Sequence, residues 1–267
     1  MRPSLYSRSP FAHVNWATKD QLENTGSVHL QVSQGLVLVD VLYPKTLAQT
    51  SAGRIAREAI LMVSFATLVA LCAQTIIRLP FTPVPITGQT FAVLLAGGAL
   101  GYRRGAGALS IYLLVGMFLP IYAPSSASSL VASNPIHFLF PWNGTSGFIW
   151  DMSSGGYIVG FIMAAFVAGY FAERGWDRKP WLIGGMLISN AAIYLPGLLW
   201  LAFLISSGWV HPAAGKPLSD LIAGNGTLEK TLVGGLYPFI LGDLIKLYLA
   251  TLTLPTAWAL ISTFRRN

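Results

Sequence analysis

Asp243 and Lys246 stand three residues apart in a run that is otherwise apolar, Gly242-Asp243-Leu244-Ile245-Lys246-Leu247-Tyr248. On a helix, positions i and i+3 share a face, so the carboxylate and the ammonium can meet. A charge at the middle of a bilayer costs roughly 2.5–3.5 kcal/mol on insertion scales, and ionisable groups kept there are functional candidates by default. Two readings stay open. The pair is either an ion bridge that locks this helix to a neighbour or a binding site facing a cavity within a helical bundle. As a site, an acceptor beside an ammonium suits a ligand carrying polar N–H groups and a carboxylate.

Other polar groups occupy places where apolar runs begin. Gln89 and Thr90 follow the proline-punctuated stretch Phe81-Thr82-Pro83-Val84-Pro85-Ile86-Thr87-Gly88. A glutamine there either holds a ligand or satisfies backbone groups freed by the prolines. Gly155-Gly156-Tyr157 opens a later run; its small residues permit close helix approach, and Tyr157 is a ligand wall or an interfacial anchor. Ala66 and Ala70 form a small-xxx-small pair, whose default use is internal helix packing.

Several chemistries are excluded by the same inspection. The chain has no GxxxxGK[ST] motif, and Gly215-Lys216-Pro217 is no phosphate loop, so it does not hydrolyse ATP unaided. His13, His29, His137 and His211 form no metal-ligand cluster, and the single cysteine, Cys72, has no disulfide or zinc partner. Gly144-Thr145-Ser146-Gly147 lacks a histidine placed to activate its serine. Neither an enzyme nor a cofactor is expected.

The elements that position these residues follow from composition. Of 267 residues, 54% are hydrophobic and 10% charged, against about 25% charged in a soluble domain. Mean hydropathy is +0.59. Such a chain has too little polar surface for water and is expected to use the lipid bilayer as solvent. Crossing takes about 20 helical residues, and six apolar runs qualify: 60–77, 81–101, 107–123, 155–171, 181–206 and 232–261. The last exceeds one span, so one of its ends is expected outside the lipid core. Residues 1–55 are a more polar N-terminal extension without an assignment, where 28–32 and 36–39 have some strand character. No signal peptide is visible there. Residues 56–267 form the transmembrane domain.

Basic residues set the orientation. With a cytoplasmic N-terminus, Arg54, Arg57, Arg103, Arg104, Arg174, Arg178, Lys179, Arg265 and Arg266 lie inside, and Arg78, Lys216 and Lys230 outside. Nine against three predicts both termini in the cytoplasm and an uncharged outer connection at 124–154, apart from Asp151. The +7 net charge is thus topological and calls for no nucleic acid.

From about residue 58 to 263 the chain resembles the BioY family, the biotin-specific capture subunits (S components) of energy-coupling factor (ECF) transporters. The resemblance rests on the ordered combination of 81–90, Gly155-Gly156-Tyr157 and the step from Asp243 to Lys246. It implies an all-α, six-helix S-component bundle in the plasma membrane, binding biotin from outside. Partner subunits, a transmembrane coupling protein and ATPases, would energise uptake. It further implies that Asp243 holds the ureido ring and Lys246 the carboxylate, that Gln89, Tyr157, Trp150 and Asn143 are candidate contacts, and that Ala66 and Ala70 dock the coupling subunit. Two departures stand out. The 124–154 connection is long, and the arginine that some members carry after Gly-Gly-Tyr is replaced here by Ile158-Val159. A stand-alone secondary carrier for biotin or a related small carboxylate is the competing reading, with Asp243 and Lys246 in an ion relay.

Overall fold

The computed structural model describes residues 37–43, 50–77, 79, 82–124, 136–138, 144–179 and 181–264. Eight α-helices are found among them: α1 (Leu38–Leu42), α2 (Ser51–Ala73), α3 (Gln89–Leu100), α4 (Tyr102–Gly116), α5 (Gly155–Glu173), α6 (Leu182–Ser206), α7 (Thr227–Gly235) and α8 (Tyr237–Phe264). Four stretches are long and apolar enough to cross a membrane: α2, α5, α6 and the α7–α8 stretch Thr227–Thr263.

The second expected run is not one span. Pro83 and Pro85 keep 82–88 out of the helix, and α3 starts only at Gln89 with twelve residues. At 1.5 Å per residue that is about 18 Å. Ten of its residues are buried, so α3 is a central strut enclosed by protein. The extended segment before it avoids lipid in the same way: Thr82 and Val84 are buried, and the Thr82 hydroxyl donates to the Gly234 carbonyl at 2.6 Å. Strand β1 (Thr75–Ile77) pairs antiparallel with β2 (Ile86–Thr87) and with β3 (Ile136–Phe138). Non-helical backbone within a membrane bundle is tolerated where protein covers it, as at Ile76, Thr82 and Val84.

Helix α5 packs on α6 through Gly156, which meets Pro196 and Trp200, and Gly160, which meets Ile193. A Cβ on Gly160 would collide with the Ile193 backbone, so the two backbones touch there as small residues permit. At the other end of α3, Gly101 turns the chain into α4 with φ +86°, a conformation open to glycine at no steric cost.

Three further expectations are corrected. The final run breaks at Leu236 into α7 and α8. Leu38 and Val39, read as strand-like, are helical, because docking into the core overrides local β preference; residues 28–32 lie outside the described ones. Ala66 and Ala70 turn inward, 6% and 4% exposed, and pack in the core beside Val69. Their closeness serves the bundle itself, so this pair presents no free docking face.

Candidate functional site

The start of α3, the first turns of α5, the middle of α6 and the first half of α8 converge at the bundle end opposite the arginine-rich turns. Asp243, on α8, is 5% exposed. One carboxylate oxygen accepts from the Thr90 hydroxyl at 3.2 Å and pairs with Lys246 Nζ at 2.6 Å. The other accepts from Tyr194 Oη at 2.6 Å and Asn190 Nδ2 at 3.4 Å. Lys246 also donates to the Thr87 carbonyl at 3.0 Å and to Thr90 at 3.4 Å. A buried charge survives only when paired and hydrogen-bonded, and these partners supply both needs.

The pair faces a narrow inner cavity of about 60 Å³. Its walls are largely aromatic: Tyr112, Tyr122, Tyr157, Phe161, Tyr194 and Phe239. Gln89 lines it too, but its amide donates to the Tyr112 hydroxyl at 2.7 Å and accepts from Thr87 at 2.9 Å. Tyr157 is 7% exposed and so is no interfacial anchor; its hydroxyl donates to the Gly235 carbonyl at 2.8 Å, and its ring meets Tyr194 edge-on. Trp150 stacks on Phe148, is 53% exposed and lines neither this cavity nor the next. Asn143 lies outside the described residues.

Ala123 and Ser154 separate this cavity from a wider outer one of about 400 Å³. The outer cavity is lined by 144–148, 151–154 and the His211–Ala213 turn of a ribbon formed by β4 (Val210–His211) and β5 (Lys216–Pro217). Burial pushes the His211 imidazole below its usual range, which keeps it neutral at pH 7.

The structure thus brings Asp243, Lys246, Gln89 and Tyr157 around one cavity. It adds Tyr194 and Asn190, which sequence reading missed. Their signal was available: two polar groups at i and i+4 in the apolar run of α6, hence on one face. With 2.6 Å between them, Asp243 and Lys246 are paired with each other in this structure.

The model of the BioY family matches residues 44–263. The chain belongs to the BioY family. A protein of Rhizobium etli named a biotin transporter is 33% identical over 198 residues, 73% of this chain and 90% of that one. A Thermotoga maritima protein of the same name is 30% identical, over 66% of this chain and 82% of its own. Among solved structures, the crystal structure of an S-component for biotin from an ECF-type ABC transporter matches with a TM-score of 0.52 at 20% identity. It covers 78% of this chain and 93% of that one. That likeness shows the fold: a helical membrane bundle of the S-component type. The family is one of transporters, and this chain is a multi-pass membrane protein.

Proposed function

We propose that this chain captures biotin at the outer face of the plasma membrane and takes part in its uptake together with an ATP-hydrolysing partner module. The observation that carries the reading is the buried Asp243–Lys246 pair at the edge of an aromatic-walled cavity. A cyclic urea presents N–H donors beside a carbonyl acceptor. Asp243 accepts an N–H while Lys246 donates to the carbonyl oxygen, so one end of the ligand satisfies both charges. Such charge-assisted bonds strengthen away from water. The tetrahydrothiophene ring and the methylenes of the tail rest against the tyrosine and phenylalanine walls. Occupancy requires the narrow inner cavity to widen, and Lys246, on its flexible four-carbon stem, is the group that swings aside.

The transmembrane unit has six spans in this reading. Helices α3 and α4 count as short spans enclosed by their neighbours, and α7 with α8 forms the sixth. Both termini are cytoplasmic, which puts the arginine-rich turns inside and the two cavities outside. The energising partners are the ECF coupling subunit and its ATPases.

Equilibrium binding of labelled biotin to the purified protein, beside Asp243→Ala and Lys246→Ala, tests the site. Saturable wild-type binding that both variants lose is expected. No saturable binding, or variants equal to wild type, sinks the reading. Uptake in cells that contain or lack the coupling ATPase then separates partner-driven transport from a stand-alone carrier.

A further inference from the structure

The segment that leads into the bundle carries a device of its own. Residues 37–43 precede the stretch 44–263 that the family model matches, yet they are folded against the bundle. A helix of five residues has too few internal bonds to persist by itself, so α1 is held by what it touches. Val37, Leu38 and Val39 are 2%, 7% and 6% exposed. The helix packs on α3 and α8. Val37 stands against Gly101, where α3 turns into α4; a Cβ added there would lie 3.3 Å from the Val37 Cγ1.

Polar bonds fix the other side of α1. Asp40 bridges Arg57 on α2 at 3.2 Å and Arg104 on α4 at 2.8 Å. Just past the helix, the Tyr43 carbonyl accepts from Arg57 Nε at 2.9 Å, and the Tyr43 ring lies 5.5 Å from the same guanidinium. Arg57 is 3% exposed, and a charge so buried holds its place only through such partners. This short segment thus ties α2, α3, α4 and α8 together at the arginine-rich end.

Helix α3 gives that position its meaning. Its first residue, Gln89, lines the inner cavity, and its last, Leu100, precedes the Gly101 turn on which α1 rests. A ligand leaving the cavity toward the arginine-rich end must part α3 from the helices packed on it, and α1 bridges three of these, α2, α4 and α8. We propose that α1 is a lock on the inner end of the bundle. While it is docked, the chain binds ligand from the cavity side and does not pass it on by itself. The proposal rests on the biotin reading above and sharpens its choice between a partner-driven subunit and a stand-alone carrier: α1 is what makes this chain depend on a partner.

Three full-length forms test it: wild type, Leu38→Gln/Val39→Gln, which undocks the apolar side, and Asp40→Ala, which opens the charge ring. Each is reconstituted alone in liposomes, without ATPase subunits. Exchange of labelled biotin between lumen and bath is followed beside the Kd of the purified protein. Because the cavity lies at the other end of the bundle, Kd should stay within about twofold of wild type in both variants. Wild type should exchange no faster than protein-free liposomes. Each variant should exchange at least roughly tenfold faster, since loss of a buried partner shifts a docked–undocked equilibrium by that factor or more. Binding reports that a variant has folded, and one folded variant decides.

A wild type that exchanges as fast as the variants overturns the proposal, as do variants that bind normally and exchange no faster than wild type. Loss of binding in both variants overturns it too, because α1 would then hold up the ligand site. In a Cys72→Ala background, Val39→Cys reads docking directly. Maleimide should label it slowly in the folded protein, and labelling as fast as in denatured protein overturns the lock. Failure of wild type to bind biotin removes the biotin reading, and this proposal with it, whatever the labelling shows.

Discussion

Two clusters of paired charge sit at opposite ends of the bundle, and their surroundings differ. At the arginine-rich end, Asp40 bridges Arg57 at 3.2 Å and Arg104 at 2.8 Å, while Glu58 bridges the same two at 2.5 and 2.9 Å. The Tyr43 carbonyl accepts from Arg57 as well. These four charges form a closed ring that ties α1 to α2 and α4. At the other end, Asp243 and Lys246 also sum to zero, yet the carboxylate leans on three neutral donors and the pair borders a cavity. Ion pairing is common to both ends and says nothing about role. Neutral hydrogen bonds can be exchanged for those of a ligand with charge balance kept, whereas a ring of four full charges opens only by exposing one of them. The first cluster is therefore built to fasten the fold, and the second has the exchangeable bonds that the proposed ligand site requires.

The largest effect expected from breaking this contrast falls on Arg57. Replacing it with Met leaves Asp40 and Glu58 with Arg104 alone, and losing one partner from a buried charge set costs about 3–5 kcal/mol. Thermal unfolding in detergent should register the full loss, with biotin affinity within about twofold of wild type. An affinity loss of tenfold or more would mean the two ends are coupled. Asp243→Asn should reach binding as well as stability. It keeps the shape but strands the Lys246 ammonium, so affinity falls by about 2–5 kcal/mol, read as a Kd at least thirtyfold weaker.

How far the sequence revealed these two clusters depends on what each residue could be mistaken for. Asp243 and Lys246 were legible because two charges inside an apolar run stand out from every residue around them. Arg57 was not, since an arginine beside a hydrophobic run is fully explained as a topological flank, and Asp40 falls in an extension that local pattern reads as strand. Tyr194 and Asn190 escaped for a related reason: tyrosine and asparagine serve equally as membrane-interface and interhelical groups. The span boundaries of α3 were hidden by continuous hydropathy across Pro83 and Pro85, where the chain is buried without being helical. Six apolar runs were visible in outline; which of them stand alone against lipid was decided by packing.

The contrast sharpens further at the neutral donors. Tyr194→Phe removes the shortest of them while keeping the ring against Tyr157. A hydrogen bond to a charged group contributes about 1.5–3 kcal/mol, so biotin affinity should fall roughly ten- to a hundredfold with little change in melting temperature. If stability falls instead and affinity holds, Tyr194 is a strut and Asp243 faces the ligand without it.

The smallest expected effect is also the most discriminating. Thr90 donates to Asp243 and accepts from Lys246 at once, so its hydroxyl sits between the two charges. Thr90→Val keeps the branched shape and deletes that link, and a net hydrogen bond is worth about 0.5–1.5 kcal/mol. Were the pair a static lock like the arginine ring, the loss would appear in the melting temperature with and without biotin alike. A recognition point behaves otherwise. Lys246 must leave Thr90 when it turns to the urea carbonyl, so the variant gives up in the free state some of what it loses in the bound one. Affinity should then drop by less than about fivefold. A drop larger than that of Tyr194→Phe would show that Thr90 itself touches the ligand.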